Sequence, residues 1–310
     1  MHTILGANGA IALGIARELA QHNLPIRLVS RTPRVVNASD MLYSADITKR
    51  DSVFEAVKGS EVVYLTAGFQ YDIRVWRETW PLVMRNVLDA CHEANAKLVF
   101  FDNVYMYGKV DGWMTEETPI NPCSKKGEVR AQIAQMLLDD VKAGNVQALI
   151  ARAADFYGPE TPNSFVNELA LKNLHKGKRA QLLVTASTKH TYTYTHDGGK
   201  ATAILGMTPS AYNQVWHLPA DRNALTGEEF VNLAGEVLGK KVGYTLLAPW
   251  MLSGLGLFMK PVKESVEMLY QSEQDYLFDS SKFEKAFDVA PTPYKQGLAE
   301  SFRAWSSERA

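Results

Sequence analysis

Cysteine is scarce: the 310 residues hold two, Cys91 and Cys123, at neither metal nor redox spacing. A disulfide framework is thereby excluded, and a reducing compartment fits. Charge of one sign is lacking too, since 33 Lys and Arg stand against 34 Asp and Glu. A chain without a positive excess has no field for nucleic acid, so no nucleic-acid partner is expected. Tyr244 to Met259 is a run of 16 uncharged residues, but it contains Pro249, Gly254 and Gly256. It is shorter than the ~20 residues a lipid span needs, so no stable membrane span is expected. Buried core or the wall of an apolar pocket is the leading reading of this run, with shallow membrane contact or a dimer face as the alternatives. Internal repeats and low-complexity linkers are missing. Met1-His2-Thr3 leads straight into an apolar stretch, so no signal peptide and a cytoplasmic location are expected.

What is present is concentrated in the first 35 residues. Thr3 to Leu5 is apolar and enters Gly6-Ala7-Asn8-Gly9-Ala10-Ile11-Ala12, and a helical pattern through Ile15, Leu19 and Ala20 stops at Asn23-Leu24-Pro25. The pattern predicts strand, tight turn and helix. Gly6 permits the turn, and Gly9 lets backbone approach a pyrophosphate. Ala12, with Gly14, allows close helix packing, so the first-turn amides near Asn8, Ala10 and Ile11 can face phosphates. The spacing is the short G-x-x-G-x-x-A form of a dinucleotide site.

The second strand, Ile26 to Val29, bears on which dinucleotide. Its tail is Ser30-Arg31-Thr32-Pro33-Arg34, with no acid before Asp40. An NAD site normally places a carboxylate there for the ribose hydroxyls, whereas Arg31 and Arg34 would pair with a 2′-phosphate. NADP (NADPH) is therefore expected over NAD, with Arg34 as a solvated loop charge the plain alternative. Asp46 is read either as a contact of the adenine amine or as a turn cap.

Further strands are expected at Glu61 to Leu65, Lys97 to Phe101 and Gln147 to Arg152, alternating with helices. The fold class is thus α/β, a Rossmann-type doubly wound parallel sheet with a smaller mixed C-terminal substrate lobe. The division expected is residues 1–160 for the dinucleotide-binding domain and 161–310 for the substrate lobe, with segments near 185–220 recruited to the first. Ala67 and Gly68 follow the fourth strand, where small residues let backbone lie against a nicotinamide ribose. His190 and His196 have no carboxylate or cysteine at metal spacing, so no metal is expected.

Taken together, Gly6-Ala-Asn-Gly9-Ala-Ile-Ala12, Phe100-Phe101-Asp102-Asn103-Val104-Tyr105-Met106-Tyr107-Gly108, Pro122-Cys-Ser-Lys-Lys-Gly127, His196-Asp197 and Leu225-Thr-Gly-Glu-Glu-Phe230 are similar to the extended and atypical short-chain dehydrogenase/reductases, the nucleotide-sugar epimerase/dehydratase relatives. The resemblance covers nearly the whole chain. It implies a substrate cleft between Rossmann domain and small lobe, and, by analogy, a homodimer.

It also exposes a departure. Members with the usual chemistry carry Ser or Thr where Asn103 stands, Tyr where Lys126 stands and Lys where Arg130 stands. Lys126 and Arg130 are spaced i, i+4, which puts both on one helix face looking into the cleft. Two like charges and partial burial would disfavour the ammonium of Lys126 and suit it to acid or base work. Binding of the cofactor phosphate or of an anionic substrate, or a plain surface pair, are the other readings. Asp102 and Asn103 are expected to orient a carbonyl or relay a proton. Phe69, Tyr105, Phe156 and Tyr192 are the expected substrate wall. The function expected is an oxidoreductase or epimerase/dehydratase acting on a carbonyl or secondary alcohol of a small molecule, with a sugar nucleotide as the family default. A catalytically silent NADP-binding sensor or scaffold is the alternative.

Overall fold

The structure, a computed structural model, describes residues 1–162, 164–256 and 259–307. Its centre is a parallel sheet of seven strands. Five are β1 (His2–Leu5), β2 (Ile26–Ser30), β3 (Met41–Ser44), β4 (Val62–Leu65) and β5 (Lys97–Asp102). Ala148–Arg152 and Val215–His217 complete the sheet. Across the sheet the order is Val215–His217, Ala148–Arg152, β5, β4, β1, β2, β3, and every pairing is parallel. The chain reverses its direction of travel between β1 and β4, the switch point where such sheets open a crevice for ligands.

Alternation explains how both faces are buried. Leu98 and Phe100 of β5 join Leu5 in one core, with helices α2 (Arg50–Val57), α3 (Ile73–Ala94) and α4 (Lys125–Lys142) over it. Val99 and Ile4 point the other way, into a second core with α1 (Ala10–Gln21) and the helix Thr195–Met207. A strand buried on both sides reads as a continuous apolar run, which is why Val62–Leu65 shows no polar alternation. Asp72 and Ser124 cap α3 and α4 through the amides of Arg74 and Gly127, and these two helix starts frame the cleft at the carboxyl edge of the sheet.

Gly14 is used differently from the expectation. Only Ala12 packs beside Ile4 and Leu28, while a Cβ on Gly14 would meet Gly199 Cα at 2.9 Å. Its smallness serves contact with the helix Thr195–Met207. A third core, with Tyr157, Phe230, Tyr294 and Trp305, builds the small lobe. There Thr226 and Glu229 form the capping box that starts Gly227–Leu238. The uncharged run from Tyr244 divides into the strand Tyr244–Leu247 and the helix Pro249–Gly256. Leu252 is buried, but Trp250 is 76 % exposed and Leu246 43 %, so much of the run is surface and not core. Residues 257 and 258 of that run lie outside the described residues. Among the described residues no helix is long and apolar enough to cross a membrane.

Candidate active site

The dinucleotide side is built by β1 and β4 ending next to each other. Gly6 has φ +98°, and a Cβ there would lie 2.6 Å from the Ala67 backbone, so the first glycine is fixed by both conformation and space. Gly9 begins α1 as its N-cap without any side-chain cap. The first-turn amides, Ala10 and Ile11 among them, are left with no side-chain acceptor from the cap. Such a start is what a pyrophosphate would occupy. Asn8 donates to Thr32 O at 2.9 Å and ties the turn to the loop after β2. Around Gly68 a Cβ would find open space. These residues fit a dinucleotide.

Arg31 and Arg34 are exposed, and among the described residues neither guanidinium makes a hydrogen bond or ion pair. Asp46 Oδ1 accepts from Thr48 N at 3.0 Å and Thr48 Oγ1 at 2.7 Å, and these bonds hold its carboxyl below the usual range. The turn-capping reading of Asp46 is thus the one its contacts fill.

On the other side of the crevice, Lys126 and Arg130 share one buried face of α4 but do not act on each other as bare cations. Lys126 is fully buried, and Nζ donates to Glu264 O at 2.8 Å, Glu264 Oε2 at 2.8 Å and Glu267 Oε1 at 2.7 Å. An ammonium has three donors, and all three are used. Arg130 Nε donates to Asp102 Oδ1 at 2.7 Å, with a second nitrogen of the guanidinium on the same oxygen, and the group lies over the Trp80 ring at 4.3 Å. The like-charge pressure on Lys126 is therefore answered by separate acids. Asp102 is completely buried, which places it under the site as a partner of Arg130 and not in it as a carbonyl-orienting group. Asn103 accepts from Tyr105 N at 3.1 Å through Oδ1. Its NH2 has no bond among the described residues.

Glu264 and Glu267 come from the segment around the helix Lys260–Val266. They also accept from the amides of Ile73, at 2.9 Å, and Lys125, at 2.8 Å, and Lys260 pairs with Asp72. This segment thus straps across the starts of α3 and α4. Nothing local in the sequence marks those acids, because their partners are some 140 residues away in the chain.

The expected substrate residues separate. Phe69 packs edge-on against Trp80, ring centres 4.8 Å apart, and belongs to the core margin. Phe156 leans on Phe101 at 6.4 Å. Tyr105 stacks on Trp76, and Tyr192 stacks on His190 at 4.5 Å. Burial pushes the hydroxyls of Tyr105 and Tyr192 up. His190 in turn lies 3.1 Å from Asp155, a pair the sequence reading did not single out.

Below the site, Arg152 donates to Tyr107 Oη at 2.7 Å, and Tyr107 lies 2.9 Å from His217 Nε2. His217 Nδ1 is 2.8 Å from Asp279 O. A carbonyl only accepts, so Nδ1 carries the proton and Nε2 receives the Tyr107 hydroxyl. Burial, followed by the nearby Arg152 charge, outweighs the Asp279 carbonyl and pushes His217 down to about 3. An unfolded histidine takes its proton near 6.5. Between those values the unfolded chain binds more protons, so stability is expected to fall as pH falls through that window, by up to about 1.4 kcal/mol per unit. Urea midpoints at pH values from about 7 to about 4 should show a shallower decline for His217→Gln. Parallel declines would contradict the assignment.

A parallel seven-stranded sheet with an uncapped glycine start to its first helix at the switch point defines a Rossmann-type dinucleotide-binding protein. The model of the "NAD dependent epimerase/dehydratase family" matches residues 2–214, and the chain belongs to that family. No curated protein matches the chain. Among solved structures it is similar to a UDP-glucuronic acid 4-epimerase from Bacillus cereus in complex with NAD (16 % identity, 100 % of this chain and 99 % of that one, TM-score 0.81). A UDP-glucose 4-epimerase from Thermotoga maritima with UDP-glucose matches at 16 % identity over 100 % of both chains, with TM-score 0.82. A dTDP-glucose 4,6-dehydratase from Streptomyces venezuelae with NAD bound matches at 17 % identity over 100 % and 98 %, with TM-score 0.79. At such identities the likeness is one of fold.

The expectation of NADP is corrected by these findings. The family is NAD dependent, and the Bacillus and Streptomyces neighbours were captured with NAD. The physical reason is that Arg31 and Arg34 are solvated loop charges. Two arginines after β2 count as a phosphate pocket only when something holds them in place.

Proposed function

We propose that the chain is an NAD-dependent oxidoreductase or epimerase/dehydratase acting at a carbonyl or secondary alcohol of a sugar-nucleotide-like substrate. The observation that carries this reading is the uncapped start of α1 at Gly9, facing the crevice into which Thr66 to Phe69 also emerge. Bound NAD would supply or accept hydride there. The amides after Gly9 would hold its pyrophosphate, and the space beside Gly68 would admit the nicotinamide ribose. Asn103, with its NH2 unengaged among the described residues, would orient the substrate oxygen, whose proton would pass to solvent water on oxidation and return from it on reduction. In place of the Tyr and Lys of the usual chemistry, Lys126 would serve as a positioning cation that fastens the Glu264 and Glu267 segment over the cleft.

Incubation with NAD and a panel of UDP- and dTDP-hexoses, followed by NMR, tests the reading. A C4 epimer or a 4-keto product is expected. In Lys126→Met, NAD binding is expected to persist while KM for the hexose substrate rises by about 10-fold, as loss of a charged positioning contact predicts. NAD binding with no product from any member of the panel would instead favour a catalytically silent nucleotide binder.

A further inference from the structure

The two longest stretches of the chain without an acidic residue are 169–196 and 237–263, of 28 and 27 residues. Together they hold nine of the 33 Lys and Arg and none of the 34 Asp and Glu, so the rest of the chain carries a net negative charge. Far apart in sequence, they are brought side by side by the fold. Ala180–Leu183 pairs in parallel with Tyr244–Leu247 as a two-stranded sheet of the small lobe.

Parallel pairing puts the starts of both strands at one end. The turn before the first strand carries Lys176, Lys178 and Arg179, and the loop before the second carries Lys240 and Lys241, all exposed. Among the described residues none of the five is paired with a carboxylate. Arg179 binds neutral groups instead: its Nε donates to Thr245 Oγ1 at 3.3 Å, and a terminal nitrogen donates to Tyr244 O. Glu236, the acid just before Lys240, lines a separate hollow together with Lys295. Five unneutralised cations at the end of one small sheet make a patch that draws an anionic surface.

The second strand leads from those cations into apolar surface. Leu246 is 43 % exposed, and the helix Pro249–Gly256 turns Trp250 outward at 76 % while Leu252 fastens it from beneath. The four-residue strand spans about 13 Å, so the cations and the indole are neighbours on the small lobe. Beyond the helix, Met259 is exposed, and Lys263 adds a further exposed cation.

The pairing of charge with apolar surface selects the partner. A soluble polyanion would use the cations and leave the indole and the leucine in water. A bilayer interface uses both, with anionic headgroups for the lysines and the headgroup–acyl boundary for an outward-facing tryptophan.

We propose that this face of the small lobe docks peripherally on an anionic lipid bilayer, with Trp250 as the inserted side chain and the cations around Arg179 and Lys240 as the electrostatic hold. The docking depends neither on NAD nor on the sugar-nucleotide reading.

Flotation of the full chain with vesicles of phosphatidylcholine alone, and of equal parts phosphatidylcholine and phosphatidylglycerol, tests it. Binding is expected to the mixed vesicles only, and acyl chains carrying bromine are expected to quench part of the tryptophan fluorescence. The double variant Lys240→Gln, Lys241→Gln is expected to bind about 25-fold more weakly, at about 5-fold for each basic residue near the surface. Trp250→Ser changes an exposed side chain, so its thermal unfolding should match the wild type. It is expected to lose about 10-fold in vesicle binding and to abolish the quenching. No binding of the wild type to the mixed vesicles, or binding and quenching unaltered in Trp250→Ser, would overturn the proposal. Binding to a short DNA duplex without binding to the vesicles would overturn it as well and assign the cations to a soluble polyanion.

Discussion

Asp102→Ala is expected to destabilise the chain by about 3–5 kcal/mol, the range for breaking a buried ion pair from one side. Asp102 is fully buried beneath Arg130 and Arg152, which are 4 % and 2 % exposed. One carboxylate thus separates two guanidinium groups that water cannot reach. Its Oδ1 binds Arg130 and the Asn103 amide, while Oδ2 lies 3.7 Å from Arg152 Nε. Deleting it leaves two like charges in a low-dielectric interior, with the faces of Trp76, Trp80, Phe100 and Tyr107 and the Tyr107 hydroxyl against them but no counter-charge. Asp102→Asn keeps an acceptor for the Asn103 amide and Arg130 but loses the charge, so its cost should fall between wild type and alanine. Urea unfolding of the three proteins measures this directly. A loss below about 1 kcal/mol for alanine would mean that Asp102 is not the counter-charge of the cluster.

Gly9→Val is expected to cost at least about 100-fold in NAD affinity, or about 2.7 kcal/mol, with little loss of stability. Gly9 has φ −81° and ψ 154°, a backbone that valine adopts readily. Its Cβ would touch only Gly6 O, at 3.6 Å. The branched side chain would stand where phosphates need to meet the first turn of α1. Gly6→Ala makes the useful contrast. At φ +98° and 2.6 Å from the Ala67 backbone, it should lower stability and NAD affinity together. Thermal unfolding with and without NAD separates the two. If Gly9→Val bound NAD as the wild type does, the phosphates would not lie on this turn.

The parts of this molecule written in local pattern were legible beforehand. The turn from Gly6 to Ala12 and the buried runs of β1, β4 and β5 all depend on neighbours within a few residues. Val215–His217 is three residues long, and its place beside Ala148–Arg152 is set by long-range pairing. The active centre was the least legible. The i, i+4 spacing of Lys126 and Arg130 rightly put both on one inward face of α4. Whether they press on each other depends on Asp102 and on Glu264 and Glu267, and the last two reach the site from the far end of the chain. Arg31 and Arg34 misled for a related reason. Residue type announces what a guanidinium could bind, but only surrounding structure shows whether it is held ready to bind it. His190 carries no metal spacing in the sequence, and its partner Asp155, 35 residues earlier in another element, meets it only where the fold pairs Asp155 with Tyr192.

The account turns on the first turn of α1 as the seat of NAD. A calorimetric titration of the purified wild-type chain with NAD tests that most directly. Saturable binding at one site per chain is predicted, with a dissociation constant in the micromolar range, about −8 kcal/mol. No heat of binding up to millimolar NAD would contradict it.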